Sequence, residues 1–257
     1  MKLEEIKNTN ERYFGIIGYP LEHSFSKSLF EQKFAKEKIE NISFENFPIR
    51  WLKLFLFLTE TEKPLCGFNV TSPYKEEIVP FLDTISDIAK EIGAVNVVKI
   101  DRNSEKVKFW GYNTDVLGFE KAFLENKGIE YRSALILGTG GAAKSVGYVL
   151  KKLNIDYQFV SRQPENNALA YKTLDKQTIE NNLLIINATP LGMFPNTGTC
   201  PPIDYTAIGN EHFLFDLVYN PEETLFLKKG KEKGAKVQNG YDMFVYQAEE
   251  AWKIWNE

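Results

Sequence analysis

The amino-acid sequence predicts an α/β fold built as two domains, the second around a parallel sheet. Three observations point there. Short apolar runs alternate along the chain with stretches of helical periodicity, the pattern of strands covered by helices. Residues 134–160 read as strand, glycine turn, helix and strand, a complete βαβ unit. The 257 residues, 43% hydrophobic and 26% charged, suffice for one large core or two modest ones.

Composition narrows the function classes. A net charge of −4 with no run of Lys or Arg argues against a nucleic-acid partner. Met1-Lys2-Leu3-Glu4-Glu5 lacks the basic and apolar segments of a signal peptide. The longest apolar run, residues 51–58, is interrupted by Lys53 and too short to cross a bilayer. Cys66 and Cys200 cannot make a disulfide framework, and such rarity fits a reducing cytoplasm. His23 and His212 stand apart without Cys–His ligand spacing, so no metal site is expected.

Taken in order, residues 13–18 (YFGIIG) form the first strand, ended by Tyr19-Pro20. Leu21-Glu22-His23-Ser24-Phe25-Ser26-Lys27-Ser28 leads into a helix with Leu29, Phe30, Phe34 and Ala35 at core spacing. Ser24 or Ser26 reads equally as its N-cap or as part of a hydroxyl cluster suited to a small carboxylate. Residues 42–47 alternate as a second strand, and residues 51–58 read as a buried amphipathic helix. Gly67-Phe68-Asn69-Val70 is a third strand, followed by Thr71-Ser72-Pro73-Tyr74-Lys75, with Pro73 in the first turn of a helix running through Ile78 to Leu82. A lysine at that end of a helix has its pKa pressed downward toward a useful range; a solvated lysine is the plainer reading.

Residues 93–100 form a further strand, where polar Asn96 needs partners as a structural bridge or a ligand contact. Residues 106–112 make its hairpin mate across Asp101-Arg102-Asn103-Ser104. Asn113-Thr114-Asp115 then opens a helix that carries Val116, Leu117, Phe119, Ala122, Phe123 and Leu124 and ends near Lys127-Gly128; either Thr114 or Asp115 could serve merely as its cap.

In the second half, Gly138, Gly140 and Ala143 occupy the first, third and sixth positions of G-x-G-x-x-G/A between a buried strand and a helix. Gly138 permits the tight turn, Gly140 lets backbone approach a pyrophosphate, and Ala143 lets the helix pack close. That context points to a Rossmann-type, dinucleotide-binding domain, against the plainer reading of a structural glycine turn. The helix sets Ala143, Val146, Gly147, Leu150 and Leu153 on one face. The strand over residues 155–160 ends in Ser161-Arg162-Gln163, where an NAD site would place a carboxylate on the ribose. Arg162 would instead pair with a 2'-phosphate, so NADP is expected over NAD, against the plainer reading of Arg162 as a solvated loop residue.

Residues 166–182 are polar and allow a short helix. Residues 183–186 form a third buried strand running into Asn187-Ala188-Thr189-Pro190-Leu191-Gly192-Met193, at the sheet edge where open α/β folds bind ligands. Strands follow at residues 213–217 and 236–238, with Val218-Tyr219-Asn220-Pro221 and a helix over 222–233 between them. Asn239-Gly240-Tyr241-Asp242-Met243 opens a terminal helix through Val245, Ala248, Trp252 and Trp255, whose apolar side is expected to return to the first domain.

Taken together these motifs resemble the shikimate dehydrogenase family over nearly the whole chain. The matching stretches are Gly18-x-Pro20-x-x-His23-Ser24-x-Ser26, Gly67-Phe68-Asn69-Val70-Thr71-x-Pro73-x-Lys75, Gly93-Ala94-Val95-Asn96, Asn113-Thr114-Asp115, the Gly138 turn, the 187–193 loop, Asp216-Leu217-Val218-Tyr219-Asn220-Pro221 and Asn239-Gly240-x-x-Met243-x-x-x-Gln247-Ala248. The resemblance implies reversible NADPH-dependent reduction of 3-dehydroshikimate to shikimate in aromatic biosynthesis. It also implies a substrate-binding, catalytic domain over 1–113 with the last helix 240–257, separated by a cleft from an NADP-binding Rossmann domain over 114–239.

By position it implies Ser24 and Ser26 on the substrate carboxylate, and Asn69, Thr71, Lys75, Asn96, Asp115, Tyr219 and Gln247 around the ring hydroxyls. Lys75 and Asp115 would be the catalytic pair. Gly138, Thr139, Gly140, Gly141, Ala142, Ser161, Arg162, Thr189, Leu217, Gly240 and Met243 would contact the cofactor. The expected partner is the small-molecule substrate, with a homodimer the assembly allowed for. Lys27 and Phe30-Glu31 stand where many relatives carry Pro and a His-Asn pair, and Pro164, Glu165 and Asn166 leave Arg162 the one basic residue at its tip. Two rival readings are an NAD-dependent quinate/shikimate dehydrogenase, separable by activity on quinate, and a nucleotide-binding regulator without turnover. The regulator has no use for the Lys75–Asp115 pair.

Overall fold

The computed structural model describes residues 11–22, 24–60, 65–102, 106–126, 130–163 and 167–257; His23, Asn103, Ser104, Lys127, Gly128 and Pro164, Glu165 and Asn166 lie outside them. The chain divides into two units, one reaching to Thr114 and including Ala248–Glu257, the other Asp115–Gln247.

In the first unit, β1 (Arg12–Gly18) pairs in parallel with β2 (Ile42–Pro48) and β3 (Leu65–Val70). With β4 (Thr84–Ile85), β5 (Val97–Asp101) and β6 (Lys108–Tyr112) they form one sheet in the order β2-β1-β3-β5-β6-β4. The expected hairpin is the antiparallel β5–β6 pair. The unbroken apolar run of β1 follows from burial on both faces. Phe14 and Ile16 pack with Phe30 and Phe34 of α1 (Ser26–Glu37) and with Trp255, while Ile17 joins Phe55, Phe68 and Ile78 on the other side. Trp255 stacks on Phe14 at 4.8 Å and donates its indole N–H to the Val98 carbonyl at 3.0 Å.

Four expectations need correction here. The helix α2 spans Leu54–Glu60, with Phe55 buried but Trp51 72% and Phe57 64% exposed. Apolar residues surround it, so periodicity could not choose the inner face. No α-helix follows Pro73: residues 72–78 are turns before a short 3-10 segment, Val79–Phe81. Two causes combine. The Lys75 carbonyl accepts from Val95 N–H at 2.7 Å instead of from the next helical turn, and Pro80 has no N–H to give Glu76. The strand expected at residue 93 begins at Val97, because Gly93 in the left-handed region (φ 71°) ends α3 (Asp87–Ile92). Neither serine holds the N-cap position of α1, one of the two readings open to them: Phe25 does, without a side-chain capping bond of its own.

The second unit is wholly parallel. Its strands are β7 (Ser133–Leu137), β8 (Asp156–Ser161), β9 (Leu169–Ala170), β10 (Leu184–Asn187), β11 (Phe213–Asp216) and β12 (Lys236–Gln238), ordered β12-β11-β10-β7-β8-β9. Counted within the unit, that is the doubly wound order 3-2-1-4-5-6, whose switch point lies between β7 and β10. The helices are α4 (Asp115–Asn126), α5 (Gly141–Lys152), α6 (Lys176–Asn181), α7 (Leu225–Glu232) and α8 (Tyr241–Asn256). α8 begins in this unit and ends in the other. Ala143, Val146, Gly147 and Leu150 are buried as expected, with Ser145 and Val149 as well. Among the described residues no helix is long and apolar enough to cross a membrane.

Candidate active site

In the first unit the site residues collect where β1 and β3 end side by side. Thr71 N–H bonds the Ile17 carbonyl at 2.9 Å and Tyr19 N–H bonds Ser72 O at 3.1 Å, lacing the two exits together. A Cβ on Gly18 would collide with the Thr71 methyl, so the approach requires glycine. Ser24 lies half-buried on the way out of β1, and Ser26, buried, opens α1; the Ser26 amide reaches Ser24 Oγ at 3.4 Å.

Asn69 and Asn96, both buried, form the centre. The Asn69 amide donates weakly to the Asn96 carbonyl at 3.4 Å, while its Oδ1 is buried with no hydrogen-bond partner. Asn96, open from sequence to a bridging or a ligand role, bridges to Thr114. Its Oδ1 accepts from Thr114 N–H at 2.7 Å, and its Nδ2 donates to Thr114 Oγ1 at 3.0 Å. Lys75 is tied into the same knot through its carbonyl on Val95, the residue before Asn96. Lys75 therefore lies in a turn and not in the first turn of an α-helix. Asp115, buried, is peptide-bonded to Thr114 and sits in the first turn of α4, where a carboxylate is favoured. Thr114, from sequence one of two residues that could cap α4, links Asn96 to its chain neighbour Asp115.

In the second unit the glycine turn has the required geometry. Gly138 takes φ 113°, and a Cβ there would lie 3.2 Å from the Ala188 carbonyl and the Thr189 methyl. Gly140 occupies the N-cap of α5, and its missing Cβ faces open space. Thr139 and Gly140 are exposed, Gly141 and Ala142 half-buried, and α5 has no side-chain cap to use up its first N–H groups. These residues fit a pyrophosphate. Arg162 stands exposed just past Ser161, the last residue of β8, whose hydroxyl bonds the Gln163 carbonyl at 3.0 Å. Burial pushes the nearby Tyr171 hydroxyl up to about 12, with Arg162 pulling the other way.

The far side of the switch point is organised by Asp216, to which sequence reasoning assigned no role. Its Oδ1 accepts from Asn187 Nδ2 at 2.9 Å and Val218 N–H at 3.0 Å, and its Oδ2 from Thr224 Oγ1 at 2.5 Å. The available signal was a carboxylate ending a buried apolar strand, which must find donors. Burial raises its pKa from 3.8 to about 7 against the pull of those three bonds. The folded state therefore holds a proton that the unfolded chain has released, so this group's contribution to stability falls as pH rises through that window. The Tm advantage of wild type over Asp216→Asn is expected to shrink between pH 5 and pH 8, read by thermal denaturation.

Tyr219 follows β11 and stacks on Phe244 of α8 at 4.5 Å. Gln247 donates to the Phe244 carbonyl at 3.0 Å, and buried Met243 presents its carbonyl to Gly118, where a Cβ would come within 2.6 Å. Gly240 has no room for a Cβ against the Leu217 carbonyl. Gly240→Ala is expected to cost about 1–3 kcal/mol by overpacking, visible as a lower Tm. His212 spends both ring nitrogens on backbone, Gly209 N–H and the Ile179 carbonyl. Among the described residues no group of three His, Cys, Asp or Glu side chains could hold a metal ion.

Known proteins resemble this chain in both sequence and structure. Residues 16–98 match the model of the shikimate dehydrogenase substrate binding domain. A shikimate dehydrogenase (NADP(+)) from Clostridium beijerinckii is 38% identical, covering 95% of this chain and 92% of its own; one from Methanococcus maripaludis is 36% identical, covering 96% and 93%. The crystal structure of shikimate 5-dehydrogenase from Thermus thermophilus in complex with NADP(H) and shikimate superposes with a TM-score of 0.82 at 30% identity, covering 95% and 92%. With likeness of that extent in sequence and in structure, the chain belongs to the shikimate dehydrogenase family.

Proposed function

We propose that the protein is an NADP-dependent shikimate dehydrogenase, an oxidoreductase reducing 3-dehydroshikimate reversibly to shikimate in aromatic amino acid (chorismate) biosynthesis. The observation that carries this reading is the buried, unpartnered Asn69 Oδ1 beside Asn96. An acceptor sealed from water costs free energy until a donor reaches it, and a ring hydroxyl of a small polyol is such a donor. Ser24 and Ser26 take the substrate carboxylate, and Thr71, Asn96, Tyr219 and Gln247 join Asn69 around the ring. Most of the substrate residues belong to the first unit, Asp115, Tyr219 and Gln247 belong to the second, and all the cofactor residues belong to the second. Gly138, Thr139, Gly140, Gly141 and Ala142 would hold the pyrophosphate, Ser161 and Arg162 the 2'-phosphate, and Thr189, Leu217, Gly240 and Met243 the rest of the cofactor.

When bound, NADPH supplies a hydride to the ketone. The oxygen then becomes an alkoxide and needs a proton in the transition state. Lys75 gives that proton and takes it back in the reverse direction. Asp115 orients the ammonium toward that oxygen. What supports this pair is the chain of bonds from the Lys75 carbonyl through Val95 and Asn96 to Thr114, the neighbour of Asp115. A chain with only two cysteines suits the cytoplasm. A homodimer is read by light scattering as a mass twice that of one chain.

The test follows the absorbance of the reduced nicotinamide with shikimate or quinate and either oxidised cofactor. Turnover of shikimate with NADP+ is expected. A preference for quinate with NAD+, or no turnover at all, overturns the proposal.

A further inference from the structure

The loops on the far side of the switch point could be held by many means, and this chain uses a buried carboxylate. Asp216 is fully buried, and its three hydrogen bonds come from neutral donors, so nothing as simple as ion pairing explains it. An apolar residue would end β11 at lower desolvation cost. The three donors, however, belong to three separate segments: Asn187 ends β10, Val218 lies in the connection just after β11, and Thr224 caps α7 through Leu227 N–H.

The network continues outward from there. Asn187 Oδ1 accepts from both the amide and the hydroxyl of Thr189, at 3.1 Å and 2.6 Å, and its Nδ2 also reaches the Leu191 carbonyl at 3.2 Å. The Asn187 carbonyl takes the Leu217 N–H at 2.9 Å. Gly192, at φ 90°, lets the same loop close over Thr224, its absent Cβ lying 3.2 Å from the Thr224 Cβ. One carboxylate thereby sets the register of two strand exits and a helix start at the ligand-binding edge of the sheet.

We infer that Asp216 is a positioning residue for the cofactor, acting through Asn187 and Thr224 to hold Thr189 and Leu217 where they meet it. This rests on the reading of Thr189 and Leu217 as cofactor contacts. Misplacing such contacts by about an ångström weakens function by up to about a hundredfold.

The test is NADPH binding by fluorescence titration of the full chain, alongside shikimate KM and circular dichroism. Asp216→Asn is expected to keep the wild-type spectrum and bind NADPH at least about tenfold more weakly, with shikimate KM changed less than about twofold. Thr224→Val is expected to weaken NADPH binding in the same selective way, and Thr224→Ser, which keeps the hydroxyl, to restore it. A folded Asp216→Asn that binds NADPH within about twofold of wild type overturns the inference, as does an equal loss for both ligands. Should Asp216→Asn not fold, the Thr224 pair decides: if Val and Ser bind alike, the inference falls. A wild-type chain that turns over shikimate yet places no weight on Asp216 refutes this inference alone, whereas a wild type that binds no NADPH refutes the proposed function and Asp216's role with it.

Discussion

Replacing Lys75 by alanine is expected to lower kcat by at least about a hundredfold, the usual scale of general acid–base assistance, while shikimate KM moves far less. The split between the two constants is the informative part. The proton is needed where negative charge develops on the ketone oxygen, so its donor contributes mainly to the transition state. The fold can lose the side chain without losing the scaffold, because the backbone of Lys75, through its carbonyl on Val95, makes the structural bond. Steady-state kinetics in the oxidative direction, with circular dichroism to show an unchanged fold, read both quantities. Turnover within a few-fold of wild type would remove Lys75 from the chemistry.

Arg162→Ala is expected to cut kcat/KM for NADP+ by about 10- to 150-fold while leaving the value for NAD+ within about twofold, the loss of one charge-assisted bond of roughly 1.5–3 kcal/mol. The side chain is exposed beyond the end of β8, so truncation leaves no cavity and no buried partner unsatisfied. The whole effect should then sit in recognition of the 2'-phosphate. Comparing kcat/KM for both oxidised cofactors in wild type and variant checks this, and an equal fall for both would assign Arg162 to stability instead.

How far the fold could be read in advance depended on the range of the forces involved. The buried parallel strands were legible because burial on both faces leaves unbroken apolar runs, as in Leu135, Ile136 and Leu137 of β7. The Gly138 turn was legible because only glycine tolerates that backbone beside Ala188 and Thr189. The helix after Pro73 was misread although Pro80 argued against it, and no local feature announced that Val95 would claim the Lys75 carbonyl. Trp51 and Phe57 were misplaced because a helix apolar on all sides carries no directional signal.

The candidate site divides the same way. Its residue types stood out, but their partners did not: Asn96 meets Thr114 across 18 positions, and Asp216 meets Asn187 across 29. Sequence alone determined the two-part α/β architecture, the glycine turn and the family, since periodicity and residue chemistry act locally and in fixed order. Tertiary structure alone decided which donor satisfies which buried acceptor, left Asn69 Oδ1 without one, and made Asp216 the hub of three segments. Hydrogen bonds are made over about 3 Å, so a pairing between distant segments exists only once sheet register has brought their ends together.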